Sequence, residues 1–185
     1  MSTTAPTNLP LGWIAPEFAL TDALNRHFSW DKLGSFPGLL IIFMNQANPM
    51  AKYVWPALTS LYEDFKHQVA FMAINPLADD RNRPESQSAM LQAVQEYQLD
   101  FPYLLDPNQQ VAHSYQVNNL PDFYLFKNEG NRHFSLQYHG RLNDNYDHPE
   151  LVSDESLKNA LLRQTSSLTP LMYQQPAWGQ PIFTS

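Results

Sequence analysis

Two short, unbroken apolar runs constrain this chain more than any other feature. Gly38-Leu-Leu-Ile-Ile-Phe43 and Val69-Ala-Phe-Met-Ala-Ile74 are rich in branched residues, as strands covered on both faces are. Between them Val54, Leu58, Leu61, Tyr62 and Phe65 recur at three and four residues, one face of a helix. A helix joining two buried strands is the unit of an α/β sheet protein. Asn48 followed by Pro49 predicts the helix start, an N-cap residue and a first helical residue. Pro56 predicts a kink.

The flanking pattern completes the architecture. Pro16–Leu20 and His27–Trp30 read as an N-terminal hairpin around a turn at Asp22–Asn25. Pro84–Leu99 reads as an amphipathic helix through Met90, Leu91, Val94 and Tyr97, Pro102–Leu105 as a strand and Asn108–Tyr115 as a short helix. Asp122–Phe126 and His133–His139 predict two further strands, the second with Phe134, Leu136 and Tyr138 on one face and His133, Ser135, Gln137 and His139 on the other. A last helix is expected over Asp154–Arg163, with Leu157, Leu161 and Leu162 as its stripe. The sum is a three-layer α/β/α sandwich with an N-terminal hairpin and an extended C-terminal tail. Residues 1–14 read as an extension, 15–165 as the domain and 166–185 as the tail.

Charge and composition exclude several functions. Eleven Lys and Arg against 18 Asp and Glu give a formal charge of −7, which disfavours nucleic acid and anionic membrane as partners. The N-terminus has no secretory pattern and no apolar run approaches a membrane span, so a cytoplasmic location is expected. Zero cysteine excludes disulfides and thiolate metal sites. The six histidines suggest no metal: His133 and His139 would stand ~20 Å apart along a strand. His139, Asp144 and His148 match no ligand spacing, so the histidines are expected to be solvated. Met44 and Met50 read as core residues, and Arg141 with Asp144 as a turn-stabilising ion pair. No nucleophile elbow or phosphate loop is present.

FMNQANPMAK, residues 43–52, resembles the active-site stretch of redoxins related to alkyl hydroperoxide reductase and thiol-specific antioxidant proteins, in one branch Phe-x-Cys-Asn-x-Cys-Pro. LPDFYLF, residues 120–126, resembles the family's cis-proline loop, which makes Pro121 that proline and the Leu120–Pro121 bond cis. HGRLNDN (139–145) is similar to its Gly-Arg-x-Asp-Asp turn, and PAWGQPIF (176–183) to an ending with Gly-Cys before isoleucine. The resemblance runs from Pro16 to Phe183 and implies a thioredoxin-like fold. It places the former cysteine positions at Asn45, Asn48 and Gln180. A carboxamide neither ionises near neutral pH nor forms a disulfide, so the chain acting alone is expected to perform neither peroxide reduction nor disulfide exchange.

The resemblance therefore implies a pseudoenzyme without catalytic residues or cofactor. The expected role is a binding or scaffold module using the former active-site groove. There Asn45, Gln46, Asn48 and Pro49 would face Leu120 and Pro121, and the helix N-terminus would attract an anion or carbonyl. A protein or peptide is the expected partner, with oligomeric state open. The alternatives are an enzyme of non-thiol chemistry in the same groove, with His113 or Asp144 as acid–base groups, or a structural oligomer subunit. Tyr173, Trp178 and Phe183 in the tail are expected to dock on the domain's own surface.

Overall fold

The computed structural model of the chain describes residues 9–182; the expectation for Phe183 lies outside them. A seven-stranded sheet runs in the order β2-β1-β5-β4-β3-β7-β8. Within it β3 (Gly38–Phe43) is parallel to β4 (Val69–Asn75), the middle strand, which is parallel to β5 (Tyr103–Leu105). On the other side β7 (Asp122–Asn128) and β8 (Phe134–Gly140) form the antiparallel hairpin. The N-terminal hairpin of β1 (Ala19–Asp22) and β2 (His27–Ser29) closes the opposite edge. All residues of β3 and β4 are buried, as their unbroken apolar runs demand, each large side chain contributing ~1.5–3 kcal/mol.

Two cores flank the sheet. One packs Leu40, Ile42 and Phe71 against α1 (Ala51–Phe65), α2 (Gln87–Glu96) and α4 (Ser156–Thr165). The other packs Ile41, Phe43 and Tyr124 against α3 (Gln110–Ser114) and the turn Trp30–Leu33. The architecture is the expected three-layer, thioredoxin-like sandwich. Residues 9–15 run along β8, where Gly12 N–H donates to the Leu136 carbonyl at 2.8 Å and Ala15 N–H to that of Phe134 at 2.9 Å.

Local details depart from the expectations. The first helix begins at Ala51, not Asn48. Asn48 Oδ1 accepts the Met50 N–H at 2.9 Å, and the Ala51 N–H donates to the Asn48 carbonyl at 2.9 Å, so a turn precedes the helix. The helix continues as one element through Pro56, which lies on its exposed side. Leu162 does not join the apolar stripe of α4 and stays 47% exposed.

β8 departs most. Leu125 pairs with Tyr138 but Phe126 with Leu136, so Gln137 is the extra residue of a bulge. A bulge shifts the alternation by one. Phe134 and Leu136 therefore enter one core and Tyr138 the other, and His139 is turned inward and buried rather than solvated.

Candidate functional site

The loop after β3 carries Asn45 and Asn48 to the start of α1, and both amides there bond within the chain. Asn45, 2% exposed, donates from Nδ2 to Glu85 Oε1 at 2.6 Å. Asn75, at the end of β4, donates to Glu85 Oε2 at 3.1 Å. Gln46 Oε1 accepts from Asn75 Nδ2 at 3.1 Å and from the Tyr103 hydroxyl at 2.7 Å, while its Nε2 donates to the Pro84 carbonyl at 2.6 Å. One buried atom of this network, Asn45 Oδ1, has no partner.

Glu85 sits at the centre, 4% exposed, placed by a short 3-10 turn, Arg83–Glu85, ahead of α2. Desolvation raises its carboxyl above the ordinary value of 4.5, against the pull of the Asn45 and Asn75 amides. The folded chain therefore holds this proton more tightly than the unfolded chain. Its contribution to stability is full below the unfolded value and is lost as pH rises through the raised folded value. Glu85→Gln is expected to remove that decline, because a glutamine amide donates to Asn45 once that amide turns over. Glu85→Ala is expected to cost ~1–3 kcal/mol by leaving the buried Asn45 amide unpaired and taking one of two acceptors from Asn75. Urea denaturation from pH 4 to 8 checks both: a Glu85→Gln chain with the wild-type pH profile would contradict the assignment.

The opposite wall is the loop before β7. Leu120–Pro121 is cis, and Asn48 Nδ2 donates to the Leu120 carbonyl at 3.2 Å, tying the helix start to the loop. Asn48, Leu120 and Pro121 are buried, Gln46 is half-buried, and Ala47 and Pro49 are exposed. β6 (Asn119–Leu120) pairs antiparallel with β9 (Gln180–Pro181), with Leu120 opposite Gln180. Gln180 thus lies on the same backbone edge that Asn48 holds. Trp178 stacks on Tyr146 at 4.7 Å and 10°, whereas Tyr173 remains 80% exposed instead of docking.

Other candidates lie elsewhere. His139 Nε2 is 3.1 Å from Asp122 Oδ2, which also accepts the Tyr124 hydroxyl at 2.8 Å; the His139 ring stacks on Tyr124 at 4.2 Å. Arg141 pairs with Asp154 at 3.3 Å, not with Asp144. The Asp144 carboxylate instead accepts the Ser153 hydroxyl and, at 3.0 Å, the Ser153 N–H. The hydroxyl first and then backbone amides hold it down at about 2. His113 is on exposed α3 surface. Met44 is buried and Met50 half-buried. Among the described residues no three His, Asp or Glu gather as metal ligands, and no helix is long and apolar enough to cross a membrane. An open cavity of 680 Å³ between β1, β5 and α3 shares no residue with the groove.

The sequence reading missed Glu85, Asn75 and Tyr103. Asn75 closes a strand, and the others carry no local motif; each acts through a contact far along the chain.

The model of the AhpC/TSA family matches residues 11–133. The chain belongs to the AhpC/TSA family. This AhpC/TSA member is 29% identical over 117 residues to the thiol-disulfide oxidoreductase ResA of Bacillus subtilis (strain 168), a match spanning 63% of this chain and 61% of that protein. A hypothetical protein from Sinorhizobium meliloti 1021 superposes with a TM-score of 0.88 at 27% identity, covering 99% of this chain and 100% of its own. An uncharacterized conserved protein from Geobacillus kaustophilus superposes at 0.86 with 29% identity, covering 100% and 98%. A thiol-disulfide oxidoreductase from Bacteroides fragilis NCTC 9343 shares the fold at 0.56 with 18% identity, covering 69% and 89%. This AhpC/TSA chain contains no cysteine.

Proposed function

We propose that this chain is a redox-inactive member of its family, a cytoplasmic binding module that holds an extended polypeptide segment in the former active-site groove. Thiol chemistry needs a thiolate, and the positions that resemble the family's cysteines carry Asn45, Asn48 and Gln180. The observation that carries the binding half is the backbone edge at Leu120: it is presented beside the helix start and pairs with an extended segment, β9. Strand addition to such an edge takes its affinity from main-chain hydrogen bonds and its specificity from alternate side chains.

The test is affinity purification of the full chain beside its Ala47→Arg variant, which alters only an exposed rim position. A partner retained by the wild type and lost by Ala47→Arg, with unchanged circular dichroism, is the expected result. Recovery of the same proteins by both chains, or of nothing above background, overturns the reading. Any peroxide or disulfide turnover by the purified wild type overturns its redox-inactive half.

A further inference from the structure

We propose that residues 174–182 are a resident ligand of the groove, a strap that a partner segment must displace; the proposal rests on the binding-module reading. The contacts of this segment have the character of a docked peptide. Its backbone is gripped at both ends: Arg141 N–H donates to the Gln175 carbonyl at 3.0 Å, and Ile182 N–H to the Asn118 carbonyl at 3.1 Å. Between them Leu120 pairs with Gln180. His139 N–H donates to Gln174 Oε1 at 2.8 Å.

Two of the segment's side chains are buried and the rest stay at or near the surface. Ala177 and Ile182 are buried, Ile182 joining Val117 and Leu120 in the core, while Gln180 and Pro181 are exposed. Trp178 lies flat on Tyr146.

A steric requirement fixes the register. A Cβ on Gly179 would stand 2.0 Å from the Leu120 carbonyl oxygen and 3.2 Å from Pro121 Cδ. On the receiving side, a Cβ on Gly140 would stand 1.7 Å from the Gln175 carbonyl oxygen. Two backbones approach where neither tolerates a side chain. The edge therefore selects segments with an aromatic residue, then glycine, then two residues free to vary, then a large aliphatic, the pattern of Trp178–Ile182. A partner carrying that pattern in extended form competes with the strap for one edge.

The attachment suits release. Strand pairing extends over only two residues, and the connection from α4, held near its start by the Leu168 N–H on the Arg163 carbonyl at 2.8 Å, carries Leu168, Met172 and Tyr173 exposed. Local opening draws on such segments, whose buried area is small.

The experiment uses full-length chains and a synthetic peptide of sequence 174–182. Gly179→Val is expected to expel the strap in cis, so this variant binds the labelled peptide at least ten-fold tighter than the wild type, and the peptide slows exchange of the Arg141 amide. The same peptide carrying Gly179→Val is expected not to bind. Equal affinity of the two chains, or no binding to a variant whose Arg141 amide exchanges freely, overturns the proposal. Should Gly179→Val fail to fold, Ile182→Asp, which expels the strap from its other end, carries the same comparison. Peptide binding as expected without an Ala47-dependent partner leaves the strap and removes the binding-module reading. An Ala47-dependent partner with a peptide that ignores both chains does the reverse.

Discussion

Asn45→Cys combined with Asn48→Cys is expected to convert a chain without thiols into one that cycles between a dithiol and a disulfide. The two positions have the spacing of the family stretch they resemble and stand where the turn into α1 begins, the Asn48 N–H donating to the Asn45 carbonyl at 3.2 Å. The expected thiol is a sluggish one at neutral pH. A helix N-terminus favours a thiolate by ~0.3–1 kcal/mol. Asn45, however, touches the Glu85 carboxylate at 2.6 Å. Two unit charges ~4 Å apart repel by ~4 kcal/mol at an effective dielectric of 20. Repulsion wins while Glu85 is ionised, so the thiol at position 45 is expected to titrate above the ~8.5 of a free cysteine.

Adding Glu85→Gln removes that charge and is expected to raise the rate of thiol alkylation at pH 7 at least ten-fold. Alkylation rates from pH 5 to 10, with a free-thiol count before and after oxidation, check both statements. A double variant that never loses its thiols on oxidation, or a pH profile indifferent to Glu85→Gln, would show that the groove's geometry has diverged along with its residues.

Trp55→Ala is expected to cost ~3–5 kcal/mol, the range for removing a large aromatic from a packed core and a large part of a typical domain's stability. Trp55 is fully buried on α1 and meets Tyr103 edge-on at 5.2 Å. Tyr103 in turn places its hydroxyl at the Gln46 amide and at the Met44 carbonyl, 3.1 Å away. The cavity would open directly beneath the loop that carries Asn45. Trp55→Phe is expected to be milder, ~1–2 kcal/mol, because it retains an aromatic filler and deletes the indole N–H, which has no partner. Guanidinium denaturation of the three chains orders them; equal losses for Ala and Phe would refute the packing account.

Much of the scaffold was legible because its signals are local. The apolar runs of β3 and β4 and the three-and-four spacing of α1 depend on residues within one element, and the structure places those elements within a residue or three of their expected ends. The cis bond at Leu120–Pro121 followed from a motif that resembles the family's loop. The reading failed on β8, where alternation was extended through Gln137. The bulge depends on pairing with β7, and the sequence of β8 does not display it.

The candidate site was legible only in outline. Asn45, Asn48, Pro121 and Gln180 stood out by resemblance, but the groups that occupy their hydrogen bonds did not. Glu85 is 40 positions from Asn45, and Leu120 is 72 from Asn48; no periodicity reports on such distances.

By itself, then, the sequence determined the order of strands and helices, the family and the absence of any thiol. The elements and the missing thiol follow from residue type and from side-chain spacing within single elements, the family from motifs that resemble its own. Only the tertiary structure decided that a buried carboxylate would sit against Asn45, that His139 would face Asp122 and that Gly179 would bring the tail onto Leu120. Those outcomes turn on which surfaces remain to be buried, and which backbones can approach, once the layers have packed.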